Sequence, residues 1–211
     1  MTGSPTPRRS TLLAPVPVGI LISGRGSNME ALVRAAQAPN ASYKVVCVIA
    51  NRADAKGLQF AAAHDIPAVV VNHKAFDSRE HFEAELSQTL MAHGVRVVAL
   101  AGFMRVLTAG FVRQWQGRLV NIHPSLLPKF KGLHTHERAL EAGEPEHGCT
   151  VHWVSEGVDE GEIIGQARVP IKAGDTPETL AARVLAEEHT LYPACLDKIC
   201  TALRSPQTQS T

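Results

Sequence analysis

The sequence predicts an α/β fold: a doubly wound, mostly parallel sheet with an antiparallel C-terminal strand pair and a long closing helix. Three observations predict it. Short continuous apolar runs, the mark of strands buried on both faces, alternate five times with segments of helical spacing. After residue 136 that alternation gives way to two longer apolar runs joined by an acidic turn. A long amphipathic segment then closes the pattern. The 211 residues suit one domain over 16–203, with 1–15 and 204–211 as flexible tails. A chain of this size buries roughly 70% of its unfolded surface and needs no disulfides for a core.

Strand one is the apolar run 16–22 (VPVGILI), and 23–28 (SGRGSN) is a turn before a helix over 29–37. Strand two is 44–50 (KVVCVIA), followed by an Ala-rich helix over 57–64 and strand three over 68–71. Ser78 is a helix N-cap with Glu80 in the first turn, opening a helix that runs to His93. Strand four is 95–100 (VRVVAL), 102–107 is a loop, and Thr108 caps a helix through Trp115. Strand five is 118–121, and a short helix covers 137–142. The runs 147–154 and 163–171 form the antiparallel pair, and Thr176 caps the closing helix 176–202 with Pro177 at its first position.

Composition narrows the function classes. With 21 Lys+Arg against 20 Asp+Glu, the net charge of +1 gives no nucleic-acid or membrane footprint. Aromatic and basic residues do not interleave as base stacking on a single strand requires. No apolar stretch much exceeds roughly ten residues, too few to span a bilayer. Small-molecule partners are therefore expected, with no nucleic acid and no membrane. Cys47, Cys149, Cys195 and Cys200 form no Cys-x-x-Cys pair and are read as reduced thiols of a cytoplasmic protein, with no metal. Arg8-Arg9 resembles the start of an export signal, but Pro15 and Pro17 interrupt the apolar part, so this stretch reads as a tail.

Two places carry chemistry. Gly24-Arg25-Gly26-Ser27-Asn28 leads from a strand into a helix, where glycines admit an anion closely and the helix start supplies unpaired N–H groups. Met29 stands where a dinucleotide fingerprint has its third glycine, and strand two ends in Asn51 rather than an acid. A phosphate monoester therefore fits better than a dinucleotide, and a tight turn without ligand is the plain alternative. The second place is 119–136 (LVNIHPSLLPKFKGLHTH), where Asn121 and His123 project to one side if the strand continues that far. His123 is a proton carrier whose neighbour sets its charge. Asp159, in the acidic turn between the late strands, is the expected neighbour and favours an imidazolium. Asn121 offers an N–H to an oxyanion. With no obvious serine or cysteine nucleophile, these residues suggest that the substrate supplies its own, as in acyl transfer to an amine. His134 is expected as a further lining residue and His136 as part of the next helix; zinc binding by this His-x-His pair lacks an acid or cysteine at ligand spacing. Phe103, Met104 and Leu107 are either core or an apolar slot for a flat ring.

These residues together resemble the folate-dependent phosphoribosylglycinamide formyltransferase family. ILISGRGSN, FDSRE, LAGFMRVL, NIHPSLLPKFKGLHTH and EHTLYP all match its pattern, over nearly the whole chain. The resemblance implies a co-substrate, 10-formyltetrahydrofolate, and the acceptor glycinamide ribonucleotide, in purine biosynthesis, with the protein a monomer or homodimer. It implies that Gly26, Ser27 and Asn28 bind the acceptor's phosphate and Glu188 its glycinamide side. Arg79, Met104, Arg105, Val106, Leu107, Asn121, Ser155, Glu156, Gly157, Val158 and Asp159 would hold the folate. Asn121, His123 and Asp159 would be catalytic. The family writes the acidic turn Asp-x-Gly-Pro, and here Glu162 stands in the proline's place. A sister formyl transferase or formyltetrahydrofolate hydrolase is expected to carry a further domain; a non-catalytic phosphate-binding module is the alternative from another class.

Overall fold

Strand β1 (Val16–Ile22) stands between β2 (Tyr43–Ala50) and β4 (Val97–Leu100), with β3 (Ala68–Val70) outside β2. In this computed structural model, which describes residues 13–204, the seven strands run in the order β3-β2-β1-β4-β5-β6-β7. Strands β1 to β5 (Leu119–His123) are parallel. The hairpin of β6 (Glu146–Trp153) and β7 (Ile163–Pro170) adds antiparallel to β5. Arg8 and Arg9, and most of both tails, lie outside the described residues.

Alternate residues of β1 feed two cores, as period-two geometry demands. Ile20 and Ile22 pack on one face with Met29 and Leu32 of α1 (Ser27–Ala36) and Leu180, Val184 and Leu196 of α6 (Pro177–Arg204). Leu21 and Val98 pack on the other with Phe82, Leu86 and Leu90 of α3 (Arg79–Ala92) and Phe111 of α4 (Ala109–Gln114), beside Trp115. A short helix α2 (Gly57–Ala63) follows β2, and α5 (Thr135–Glu141) precedes β6. Ser78 and Thr108 cap α3 and α4, accepting from the His81 and Phe111 amides.

Several boundaries differ from expectation for local reasons. Helix α1 begins at Ser27 because Gly26 takes φ +78° and turns the chain directly into it. Strand β4 begins at Val97, because the Val95 amide still closes α3 by bonding the Leu90 carbonyl. Helix α6 runs past Pro193 without ending. The neighbouring Tyr192 is fully buried, its hydroxyl 3.0 and 3.1 Å from the Leu100 and Val120 carbonyls, so packing overrides the missing N–H. Most relevant to the site, β5 continues to His123, because the β6 edge pairs with it up to Thr150.

Candidate active site

The chain order reverses between β1 and β4, and such a switch point opens a crevice at the carboxyl ends of the strands. The glycine turn follows β1 on one side, and the loop carrying Met104 and Arg105 follows β4 on the other. A cleft of about 540 Å³ opens between them. Gly26, Ser27 and Asn28 line it at the start of α1, where N–H groups and dipole favour an anion. Asn51, Arg52 and His73 complete the wall, residues the sequence reading did not select. Buried polar atoms of three lining residues, Asn28 Oδ1, Asn51 Oδ1 and Arg105 Nε, have no partner within the protein. Such atoms suit a polar ligand.

Asn28 connects this cleft to α6. Its Nδ2 donates to Glu188 Oε2 at 2.6 Å, across 160 positions of chain. Burial raises the pKa of Glu188, and the Asn28 hydrogen bond opposes that rise.

Neither Asn121 nor His123 lines that cleft; they sit one strand along, where Asn121 pairs in register with Leu100. His123 is buried, its Nε2 3.0 Å from the Phe130 carbonyl and its Nδ1 3.3 Å from Asp159 Oδ2. Asp159 has φ +53°, and its Oδ2 also accepts from the Gly132 amide at 2.9 Å. Gly161 lets this turn fold tightly, because a Cβ there would lie 1.6 Å from the Trp153 carbonyl oxygen. Glu162, at the departure from the family's pattern, closes the turn through its backbone, its carbonyl accepting from the Trp153 amide at 2.9 Å.

The charge states follow from burial against partners. Burial favours the uncharged form of Asp159, yet the nearby His152 ring, the hydrogen bond from the Gly132 amide and the nearby His123 together hold its pKa below the usual carboxylate value. For His123 the balance goes the other way. Burial outweighs both the Phe130 carbonyl and the Asp159 charge, and its pKa is lowered. The imidazolium expected from the Asp159 contact is therefore not the resting form; the neutral ring is.

Sequence reasoning missed His152. It is buried on β6 directly opposite Asn121, its Nε2 3.2 Å from Asn121 Nδ2 and 3.6 Å from Asp159 Oδ1. Its Nδ1 lies 2.8 Å from the Trp153 carbonyl. A proton on Nδ1 leaves Nε2 to accept from the Asn121 amide.

The residues assigned to the folate are dispersed around this centre. Met104 (67%), Val106 (58%) and Val158 (49%) expose apolar side chains, while Leu107 is buried in the core. Arg105 stacks over the Phe82 ring at 5.8 Å, and Glu156 pairs with Arg113 at 2.8 Å. Ser155 Oγ donates to the Gly157 carbonyl at 3.3 Å. Arg79 is exposed at the first position of α3 and does not line the cleft. His134, at φ +57° before α5, is exposed, pairs with Glu137 at 2.9 Å and does not line the cleft. His136 belongs to α5, as expected. Among the described residues, no cluster of three or more His, Cys, Asp or Glu is placed to hold a metal ion. No helix there is long and apolar enough to cross a membrane.

The formyl transferase family model matches residues 17–196. The chain belongs to the formyl transferase family. Among its relatives, the trifunctional purine biosynthetic protein adenosine-3 of Drosophila melanogaster is 52% identical over 197 residues, covering 92% of this chain. This chain spans only 15% of that longer protein. The phosphoribosylglycinamide formyltransferase of Escherichia coli is 47% identical over 82% of both chains. The solved phosphoribosylglycinamide formyltransferase of Coxiella burnetii superposes with a TM-score of 0.86 at 48% identity, covering 90% of this chain and 89% of its own. That of Brucella melitensis gives 0.85 at 48% identity, covering 94% and 100%. The seven-stranded sheet, its antiparallel end and the closing helix are thus those of formyl transferases of known structure.

Proposed function

We propose that this formyl transferase moves the formyl group of 10-formyltetrahydrofolate onto the primary amine of N1-(5-phospho-D-ribosyl)glycinamide, in de novo purine biosynthesis. The products are the N-formyl compound and tetrahydrofolate. A single domain over 16–203 carries the activity, in the cytoplasm, as a monomer or homodimer; four buried free thiols suit a reducing compartment. The observation that carries the reading is the convergence of Asn121, His123 and Asp159 across β4 from a phosphate-type turn. The exposed apolar side chains of Met104, Val106 and Val158 fit a flat folate ring, with Arg79, Arg105, Ser155, Glu156 and Gly157 around the rest of it. Gly26, Ser27 and Asn28 hold the phosphate and Glu188 the glycinamide side.

The reaction proceeds by addition and elimination. The amine lone pair attacks the formyl carbon, and the carbonyl electron pair moves onto oxygen. The Asn121 Nδ2 amide donates to that oxyanion, and His123 joins it once it has become protonated. A neutral His123, the resting form, accepts the proton that the attacking nitrogen sheds; the developing negative charge and Asp159 offset the burial that disfavours its imidazolium. The proton then passes to the departing folate nitrogen, the carbon–nitrogen bond breaks toward it, and the carbonyl re-forms. Incubating the protein with both substrates and following formylated glycinamide ribonucleotide tests this. Multiple turnovers support it; thermal stabilisation by the ribonucleotide without turnover identifies a binding module instead.

A further inference from the structure

We propose that His147 is a positioning residue for His123, acting by holding the turn whose Phe130 carbonyl receives His123 Nε2. The inference rests on the catalytic reading of His123. Phe130 has φ +55°, a left-handed conformation that an aromatic residue adopts only when its surroundings enforce it. His147, 1% exposed on β6, meets the Phe130 ring edge-on, with centroids 6.0 Å apart and planes at 69°. The Arg138 guanidinium lies 5.4 Å from the same ring, so two side chains fix it. Behind His147 stands His136 of α5, ring centroids 5.1 Å apart at 85°.

The other end of the turn is fastened separately. Thr150 Oγ1 donates to the Ser125 carbonyl at 2.7 Å and accepts from the Leu127 amide at 3.1 Å. Gln166 Nε2 donates to the Leu127 carbonyl at 2.9 Å. Loss of the His147 ring also removes its hydrogen bond to the Pro124 carbonyl, but Thr150 and Gln166 still hold the turn at 125–127, while Phe130 is freed to relax from its left-handed state. The Phe130 carbonyl then shifts, and the His123 ring it orients rotates relative to Asp159. Burial, with the His136 ring adding to it, holds the His147 pKa down to about 4, so the residue is an uncharged wedge at neutral pH.

The test is a double-mutant cycle between positions 147 and 123. His147→Ala should lower kcat about 10- to 100-fold, the cost of a small misplacement of a reacting group, with KM for both substrates nearly unchanged. His147→Phe, which restores a ring against Phe130, should recover most of it. In a His123→Ala background, His147→Ala should cost nothing further. Independent losses at the two positions, or full activity in His147→Ala, overturn the proposal. A readout free of turnover separates this from the catalytic reading: in ¹³C-histidine-labelled protein, the His123 ring resonance should move in His147→Ala and stay fixed in His81→Ala. An unmoved resonance overturns the proposal even if no formyl transfer is seen. If His147→Ala does not fold, His147→Gln replaces it in both measurements.

Discussion

The Asn121 side-chain amide lies 3.2 Å from His152 Nε2, a ring whose other nitrogen is 2.8 Å from the Trp153 carbonyl. This pairing aims one N–H of Asn121 at His152 and leaves its second free for the oxyanion of the proposed reaction. His152→Phe keeps the ring and removes the acceptor, freeing the amide to rotate. A net hydrogen bond is worth about 1 kcal/mol, so kcat should fall roughly five- to tenfold with KM little changed. Steady-state kinetics on both substrates check it; an unaltered kcat means that His152 does not orient Asn121.

Asp159→Asn removes the charge that raises the His123 pKa against burial. The His123 pKa then falls further. Catalysis that needs the neutral ring should keep its acid limb at lower pH, while kcat drops through loss of the charge that steadies the transient imidazolium. The pH profile of kcat decides. An acid limb that stays in place, or moves to higher pH, contradicts the coupling between these side chains.

Glu188 illustrates a site that costs stability. Its pKa is raised by burial, so the fold prefers the protonated acid and is penalised once pH rises through the folded pKa. Glu188→Gln removes that penalty and keeps an oxygen for Asn28. Stability at neutral pH should therefore hold or increase, whereas affinity for glycinamide ribonucleotide should fall about tenfold or more, the loss of a charge-assisted hydrogen bond. Denaturant titration and calorimetric binding separate the two effects.

Acid stability reports on His147. Its pKa is pushed down to about 4 in the fold, from an ordinary unfolded value near 6.5, so the unfolded chain binds more protons between those limits. Stability contributed this way is present above pH 6.5 and lost as pH falls toward 4, on the order of 3 kcal/mol. His147→Phe should flatten the pH dependence of unfolding across that window. His123, His136 and His189, lowered in the same direction, keep a residual slope.

The legible and illegible parts of this protein divide by the range of the interactions involved. Strand β1 coincides with its expected span because a run of buried apolar residues needs only its own sequence to declare itself. The caps at Ser78 and Thr108 are equally local. His152 was invisible because its place opposite Asn121 depends on the register of β6 against β5, which no local pattern encodes. The exposed place of His134 goes with its own left-handed backbone before α5 and its contact with Glu137. The charge of His123 was misjudged because the sequence names a carboxylate neighbour but not the depth of burial that outweighs it.

In the proposed reaction, Asn121 and His123 stabilise a tetrahedral intermediate beside Asp159. The most direct measurement is single-turnover formyl transfer by His123→Ala, in protein whose near-ultraviolet circular dichroism and melting temperature match the parent. The expected loss is about 10²–10³ in the rate of the chemical step, the usual cost of one oxyanion donor. A His123→Ala protein that transfers the formyl group at nearly the parent rate would contradict it.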